Sequence, residues 1–435
     1  MPSTTRHLTA EMVAAHVRDH VFDTASSPDP DHVARSGFGV ELEWITSKGP
    51  SGRRITVDDA HELMDEVCPL PGGSRLTLEP GGQLELSSAR ADGVAEALRA
   101  AALDLFVVDR ACSRRDVALI ALGADPLRAP ERILPEPRYA AMETYFDGDG
   151  ASGRTMMSNT ASIQVNVGLG PAEHVARRWR LANAICPTLI ACFANSPFAD
   201  GGPSGWQSTR QRAWTMVDPT RTAALDHRAD PVATWVAYAL DARVMLVHVD
   251  DTDQRPVTGR LTFGQWLHDG HELGWPTLED FTYHLTTLFP PVRPRGWFEL
   301  RVLDTLPTPF WQVAALLVHT VLTDPAVHDD ATRAVAGTEH LWIDAAQLGL
   351  AHPALADSAR ALFSVALEAL APTSPANPMF DVFATYFGRW VTQGRSPGDD
   401  RLDAWRRTGQ LVPPRESPVP YADELGLEPL TKVRR

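Results

Sequence analysis

Five glutamates recur at alternate positions in short apolar stretches: Glu41 and Glu43 in GVELEW, Glu79 and Glu85 on either side of Pro80-Gly81-Gly82, and Glu299 in FELRV. In an extended chain residues i and i+2 point the same way, about 7 Å apart, where two carboxylates repel by roughly 2–3 kcal/mol at an effective dielectric near 20. Any one of them alone reads as a solvated strand residue, but five beside Arg301 read as a cation site. Oxygen donors without His or Cys favour Mg²⁺, or Mn²⁺ in its place, over zinc. HExxH and paired CxxC patterns are absent. Magnesium held by a few carboxylates completes its shell with water and phosphate oxygens, so a nucleotide is the expected co-substrate. No GxxxxGK[ST] loop is present to hold one, and Lys48 and Lys432 are the only lysines, which leaves the phosphates to metal and arginine. Arg301, two residues beyond Glu299 on the same side, is placed to meet a phosphoryl group in transfer.

These side chains need strands to aim them, and four segments alternate strictly. Val40, Leu42 and Trp44 oppose Glu41 and Glu43. Leu76, Leu78, Leu84 and Leu86 oppose Thr77, Glu79, Gln83 and Glu85 across a Pro-Gly-Gly turn. Ile163, Val165 and Val167 oppose Ser162, Gln164 and Asn166, and Phe298, Leu300 and Val302 oppose Glu299 and Arg301. Such a pattern predicts an α+β fold: an antiparallel sheet with helices on its oily outer face and a polar face lining a cup. Helical patterns cover roughly 92–115, 172–194, 309–323 and 355–371, and Thr56-x-x-Asp59 predicts a capping box opening a helix to Val67. The polar strands are spread from residue 40 to residue 302, so one interwoven domain is expected over 36–400. A helix and a Ser/Pro/Asp-rich link (1–35, the link at Ser26–Asp31) precede it. A Pro- and charge-rich arm or tail (401–435) follows.

Composition narrows the rest. The 435 residues carry a formal charge of −15, which argues against a nucleic-acid partner. No run of about 18 apolar residues predicts a membrane span, and residues 1–22 lack a signal-peptide core, so a cytoplasmic enzyme is expected. Cys68, Cys112, Cys186 and Cys192 are spaced as ordinary residues of a reducing compartment.

The ordered stretches GFGVELEW (37–44), LPGGSRLTLEPGGQLELSS (70–88), ALGADPLR (121–128), RYAAME (138–143), MMSNTASIQVNVG (156–168), ANSPF (194–198), STRQRAW (208–214) and HLTTLFPPVRPRGWFELRVLD (284–304) carry a resemblance. Over residues 37–400 the chain resembles glutamate-cysteine ligases of the actinobacterial ergothioneine-pathway type, which are related to the plant group. The resemblance implies a cupped antiparallel sheet related to glutamine synthetase. It also implies ATP-dependent formation of γ-glutamylcysteine from glutamate and cysteine through a γ-glutamyl phosphate. On that likeness Glu41, Glu43, Glu79, Glu85 and Glu299 match metal ligands, and Arg301 with Glu299 matches the catalytic positions. Arg293 would bind a substrate carboxylate, Gln164 and Asn166 would line the amino-acid pocket, and Arg210, Trp214 and Arg221 would border the substrates. His284 reads equally as a substrate-positioning or a structural residue. Asp304 reads as a brace for Arg301 or a metal contact, and Asp125 as a turn residue.

Overall fold

Period-two alternation gives strands where the sequence shows it. The computed structural model describes residues 7–23, 37–250, 252–272, 274–371 and 378–412. Among them lie eleven strands: β1 (Phe38–Lys48), β2 (Arg75–Leu78), β3 (Leu84–Ser87), β4 (Val117–Ile120), β5 (Ser162–Gly168), β6 (Phe198–Ala199), β7 (Gly202–Pro203), β8 (Leu246–His248), β9 (Gln254–Pro256), β10 (Val292–Pro294) and β11 (Trp297–Asp304). The main sheet runs β10-β11-β5-β1-β3-β2, with β4 paired to the far end of β1, and every pairing is antiparallel. The remaining four strands form two small ribbons.

One face of the sheet is oily. Val40, Leu42, Trp44, Ile163, Val165, Val167, Phe298 and Leu300 are all buried, each such side chain contributing about 1.5–3 kcal/mol relative to exposure. Helix Val94–Arg114 covers β1 and β4, Trp311–Thr323 covers β5, and Ala172–Ala184 with Cys186–Phe193 covers β11. The pattern read as one helix over 172–194 is thus two, broken at Ile185 just before Pro187, whose ring nitrogen cannot donate to the preceding turn. The capping box at Thr56 and Asp59 is formed, and its helix runs Val57–Val67.

In β11 the alternation is interrupted. Leu300 faces Val165 but Leu303 faces Ile163, so one extra residue is inserted at Arg301–Val302, a β-bulge. Its freed carbonyls are satisfied by a neighbouring helix: Arg210 Nη2 donates to the Arg301 oxygen and Gln211 Nε2 to that of Val302, both at 2.7 Å.

At the N-terminus, helix Ala10–His16 continues into the turn Val17–Val21 and buries Val13 and Val17 in the main core. At the other end, helix Pro397–Thr408 runs across the expected boundary between the domain (to 400) and the arm (from 401). Its Gly398 N–H donates to Ala194 O at 2.9 Å. The link Ser26–Asp31 and residues 413–435 lie outside the described residues. Among those described, no helix is long and apolar enough to cross a membrane.

Candidate active site

The polar face is assembled by register. Glu41 on β1 stands opposite Gln164 on β5 and Ser87 on β3, and Glu43 stands opposite Glu85. Glu299 on β11 lies between Asn166 on β5 and Arg293 on β10. Hydrogen bonds tie these groups together. Ser162 N and Gln164 Nε2 donate to the two oxygens of Glu43 at 2.8 and 3.1 Å, and Asn166 Nδ2 donates to Glu41 at 3.0 Å. Ser87 donates to Glu85 at 2.7 Å. Gln164 and Asn166, expected in the amino-acid pocket, therefore spend their amides orienting the acids, and neither lines the cavity over this face. Glu79 sits just before the Pro80-Gly81-Gly82 turn, where its N–H donates to Gln83 O at 2.8 Å. Gln83 braces that turn through Gly81 N and Thr160 O.

Charge divides the face in two. Burial, then repulsion from Glu299 and Glu85, pushes Glu41 up to about 7. Glu43, Glu79 and Glu85 are also raised, first by burial; for Glu79 the next causes are Glu85, Glu43 and Glu41. Glu299 behaves in the opposite way. Burial alone would raise it, but Arg293, Arg301 and Arg295 together bring it to about 2. Arg293 grips it with Nε and Nη2 at 3.0 and 2.8 Å, Arg295 stands 3.5 Å away, and Arg301 Nη1 donates to both Glu299 and Gln164. Both oxygens of Glu299 are thus held by arginine. Among the described residues, no group of three or more acidic, histidine or cysteine side chains is gathered closely enough to hold a metal ion as it stands. The donor chemistry nevertheless fits a hard cation: four half-buried carboxylates, each raised by desolvation and by its acidic neighbours despite the arginines nearby.

A cavity of about 240 Å³ opens over this face, and its wall includes Glu43, Glu79, Arg210, Arg293 and Arg301. Arg210 and Trp214 come from helix Thr209–Thr215, whose N-cap Ser208 accepts from Gln211 N at 3.1 Å. Asp304 fixes that cap: it accepts from Ser208 Oγ, Ser196 Oγ and Asn195 N at 2.9, 2.6 and 2.9 Å. It braces the helix carrying Arg210 rather than Arg301 itself. Gly123 is required beside it, since a Cβ there would sit 2.5 Å from Asp304 Cγ. Arg210 is 2% exposed, yet its Nε and Nη1 have no hydrogen-bond partner.

Arg221 is a correction. Expected at the substrates, it is fully buried and lines neither cavity described here. Nε pairs with Asp218 at 2.9 Å, Nη1 donates to Thr287 O at 2.7 Å, and Nη2 donates to Tyr145 Oη and Arg243 O at 3.0 and 2.6 Å. A four-residue helix, Pro219–Thr222, places Asp218 and Arg221 three apart and favours this local pair. His284 is structural: buried, bonded through Nε2 to Ala239 O at 2.9 Å, and lowered by burial to about 3. Asp125 closes its turn onto Leu127 N and Arg128 N.

Sequence reasoning assigned no role to other residues of the cavity wall: Arg138, Tyr139, Met142, Met156, Met157 and Phe289. The signal was present in RYAAME and MMSN: Arg138 and Met142 are four apart on helix Pro137–Asp147, hence on one face. A second, largely apolar cavity of about 230 Å³ lies behind Arg301, against Trp214, Phe289, Pro290 and Trp342. The Arg301 guanidinium stands 5.8 Å from the rings of both Trp214 and Phe289 and so forms part of the partition.

Known proteins share this sequence and fold. Residues 37–404 match the pattern of Glutamate-cysteine ligase family 2 (GCS2). The chain is 40% identical over 400 residues to glutamate-cysteine ligase EgtA of Mycolicibacterium smegmatis, covering 91% of each. It is 44% identical over 382 residues to glutamate-cysteine ligase EgtA of Mycobacterium tuberculosis, covering 85% of this chain and 86% of that one. A chloroplastic glutamate-cysteine ligase of Medicago truncatula is 33% identical over 251 residues, 55% of this chain and 49% of that one. Among solved structures, the glutamate-cysteine ligase of Francisella tularensis in complex with AMP matches with a TM-score of 0.51 at 15% identity, covering 86% of each chain, which is a likeness of fold.

Proposed function

Since the chain belongs to glutamate-cysteine ligase family 2, we propose that it joins glutamate to cysteine at the expense of ATP, in the cytoplasm and as a supplier of γ-glutamylcysteine to ergothioneine synthesis. The antiparallel sheet then serves as the cupped, glutamine synthetase-like catalytic fold. What carries this assignment is the divided face: half-buried, mutually repelling carboxylates on one side and, next to them, Arg301 together with Arg210, whose buried nitrogens lack partners. Glu41, Glu43, Glu79 and Glu85 would hold Mg²⁺, with Glu299 joining once Arg301 turns to substrate. Bound there, the ion would neutralise phosphate oxygens and offset the repulsion among the acids.

The chain's own groups account for the rest. Arg301 and Arg210 face the transferred phosphoryl group and offset its charge, while Arg293 keeps Glu299 in place and offers its remaining donor capacity to a carboxylate. A side-chain oxygen of glutamate attacks the terminal phosphorus, and the bond from that phosphorus to the bridging oxygen breaks to release ADP. The cysteine nitrogen then attacks the acyl carbon. The C–N bond forms, the C–O bond to phosphate breaks, and the nitrogen loses a proton to solvent. Glutamate labelled with ¹⁸O in its side-chain carboxylate should pass one label into inorganic phosphate, with one ADP per dipeptide. AMP and pyrophosphate, with label in AMP, would overturn this route.

A further inference from the structure

Two buried arginines of this chain meet their counter-charges in different ways. Arg221 bonds directly to Asp218, and its donors are all engaged by protein. Arg210 touches no carboxylate: Nη2 is engaged by the Arg301 carbonyl at 2.7 Å, and Nε and Nη1 have no partner. Burial opposes its charge, and among the acids that favour it Asp304 comes first and Glu43 second. Two hydroxyl groups connect Arg210 and its helix to Asp304. Ser196 Oγ accepts from Arg210 N at 3.2 Å and donates to Asp304 at 2.6 Å. Ser208 Oγ accepts from Gln211 N at 3.1 Å and donates to Asp304 at 2.9 Å.

Asp304 is itself fixed. Asn195 N donates to it at 2.9 Å, and the Asn195 side chain is pinned to Ala121 O and Thr305 O at 2.8 and 2.9 Å. With both oxygens engaged and no place on the cavity wall, this carboxylate is offered neither to an ion nor to a substrate. A counter-charge held one hydroxyl away stabilises a buried guanidinium without occupying its donors. We propose that Asp304 is a positioning residue for phosphoryl transfer: acting through Ser196 and Ser208, it holds Arg210 at the cavity wall with Nε and Nη1 open to substrate oxygens. The proposal rests on the ligase reading above, in which Arg210 faces the transferred group.

Asp304→Asn keeps the shape of the side chain and removes its charge. Arg210 is then left with Glu43 as its carboxylate neighbour, and turning toward it would take a donor from the phosphoryl group and a ligand from the ion. The variant is expected to lose about thirtyfold or more in kcat and to need about threefold or more Mg²⁺ for half-maximal rate. The KM values for glutamate and cysteine should stay within about threefold. In an Arg210→Gln background the same substitution should cost less than about threefold in kcat, since the charge it serves is gone. Equal losses in the two backgrounds, or a kcat within about threefold of wild type, would overturn the proposal. Ser208→Ala, which cuts one hydroxyl link and leaves the carboxylate, covers the case of an Asp304 variant that does not fold. It should cost about fivefold or more in kcat with Arg210 present and less than about twofold with Arg210→Gln. Equal losses there would be equally fatal. Wild-type protein that releases no ADP with glutamate and cysteine would instead count against the ligase reading, which separates the two failures.

Discussion

Glu299 accepts hydrogen bonds from Arg293 and Arg301 and lies within ion-pair distance of Arg295, while the four other glutamates of the face have no arginine at such distance among the described residues. Because Arg301 spans Gln164 and Glu299 with one planar group, Arg301→Lys is expected to lower turnover nearly as much as Arg301→Ala, by about a hundredfold or more. A lysine variant retaining most of the activity would reduce Arg301 to a diffuse charge. Titration supplies a second prediction. Glu41 keeps its proton to about 7 in the folded chain, against an ordinary value of 4.5. Between those values the folded state binds a proton that the unfolded state has released, so metal-free stability falls as pH rises through that window. Glu299 acts in the opposite sense: lowered to about 2, it contributes stability above its ordinary value of 4.5 that is lost as pH falls toward 2. In melting experiments, Mg²⁺ should therefore stabilise the protein more at about pH 8 than at about pH 5.5, since the acids must shed protons to bind it. Equal shifts at both would show that these carboxylates do not hold the ion. The acids could be read from the sequence because alternation leaves little choice of face. Arg221 could not, because residue type does not distinguish an arginine awaiting substrate from one buried against Asp218.

The β2–β3 hairpin and helix Ser152–Asn159 show how elements hold those residues. The hairpin tip presses on the end of the helix so closely that a Cβ on Gly81 would collide with the Ser158 carbonyl. Gly82 has φ of 86°, a value that costs a glycine little. Gly81→Ala is expected to push the tip away from the helix that carries Met156 and Met157. Because Glu79 leads into the same turn, the substitution should lower the melting temperature and weaken Mg²⁺ dependence together. A variant with lowered stability but an unchanged magnesium response would show that Glu79 is positioned independently of the tip. The hairpin was legible from Pro-Gly-Gly between alternating leucines; its docking was not, since the opposing Ser158 backbone lies 77 residues further along the chain. The bulge in β11 was hidden for a similar reason. FELRV alternates like a plain strand, the adjacent Val302 and Leu303 do not by themselves place an insertion, and the bulge appears in the pairing with β5.

At the scale of the whole molecule, the antiparallel sheet and its oily face could be anticipated, but the order of strands could not. Alternation says which way side chains point and leaves open which strands are neighbours. The observed order places β11 directly against β5 with β10 beyond it, both formed by residues 292–304, while β1 to β5 are complete by residue 168. A ribosome making this chain therefore finishes most of the sheet more than a hundred residues before the strands that close it. During that interval β5 presents an unpaired edge, and the apolar side of the sheet lacks helix Trp311–Thr323. Nascent chains stalled at residue 290 should bind holding chaperones and be cut readily by protease, and chains stalled far enough past residue 323 for that helix to clear the exit tunnel should resist. Protection already present at residue 290 would mean that the first strands fold without their closing partners. Synthesis of the enzyme thus has an exposed middle period, and slower translation across residues 169–291 would lengthen it.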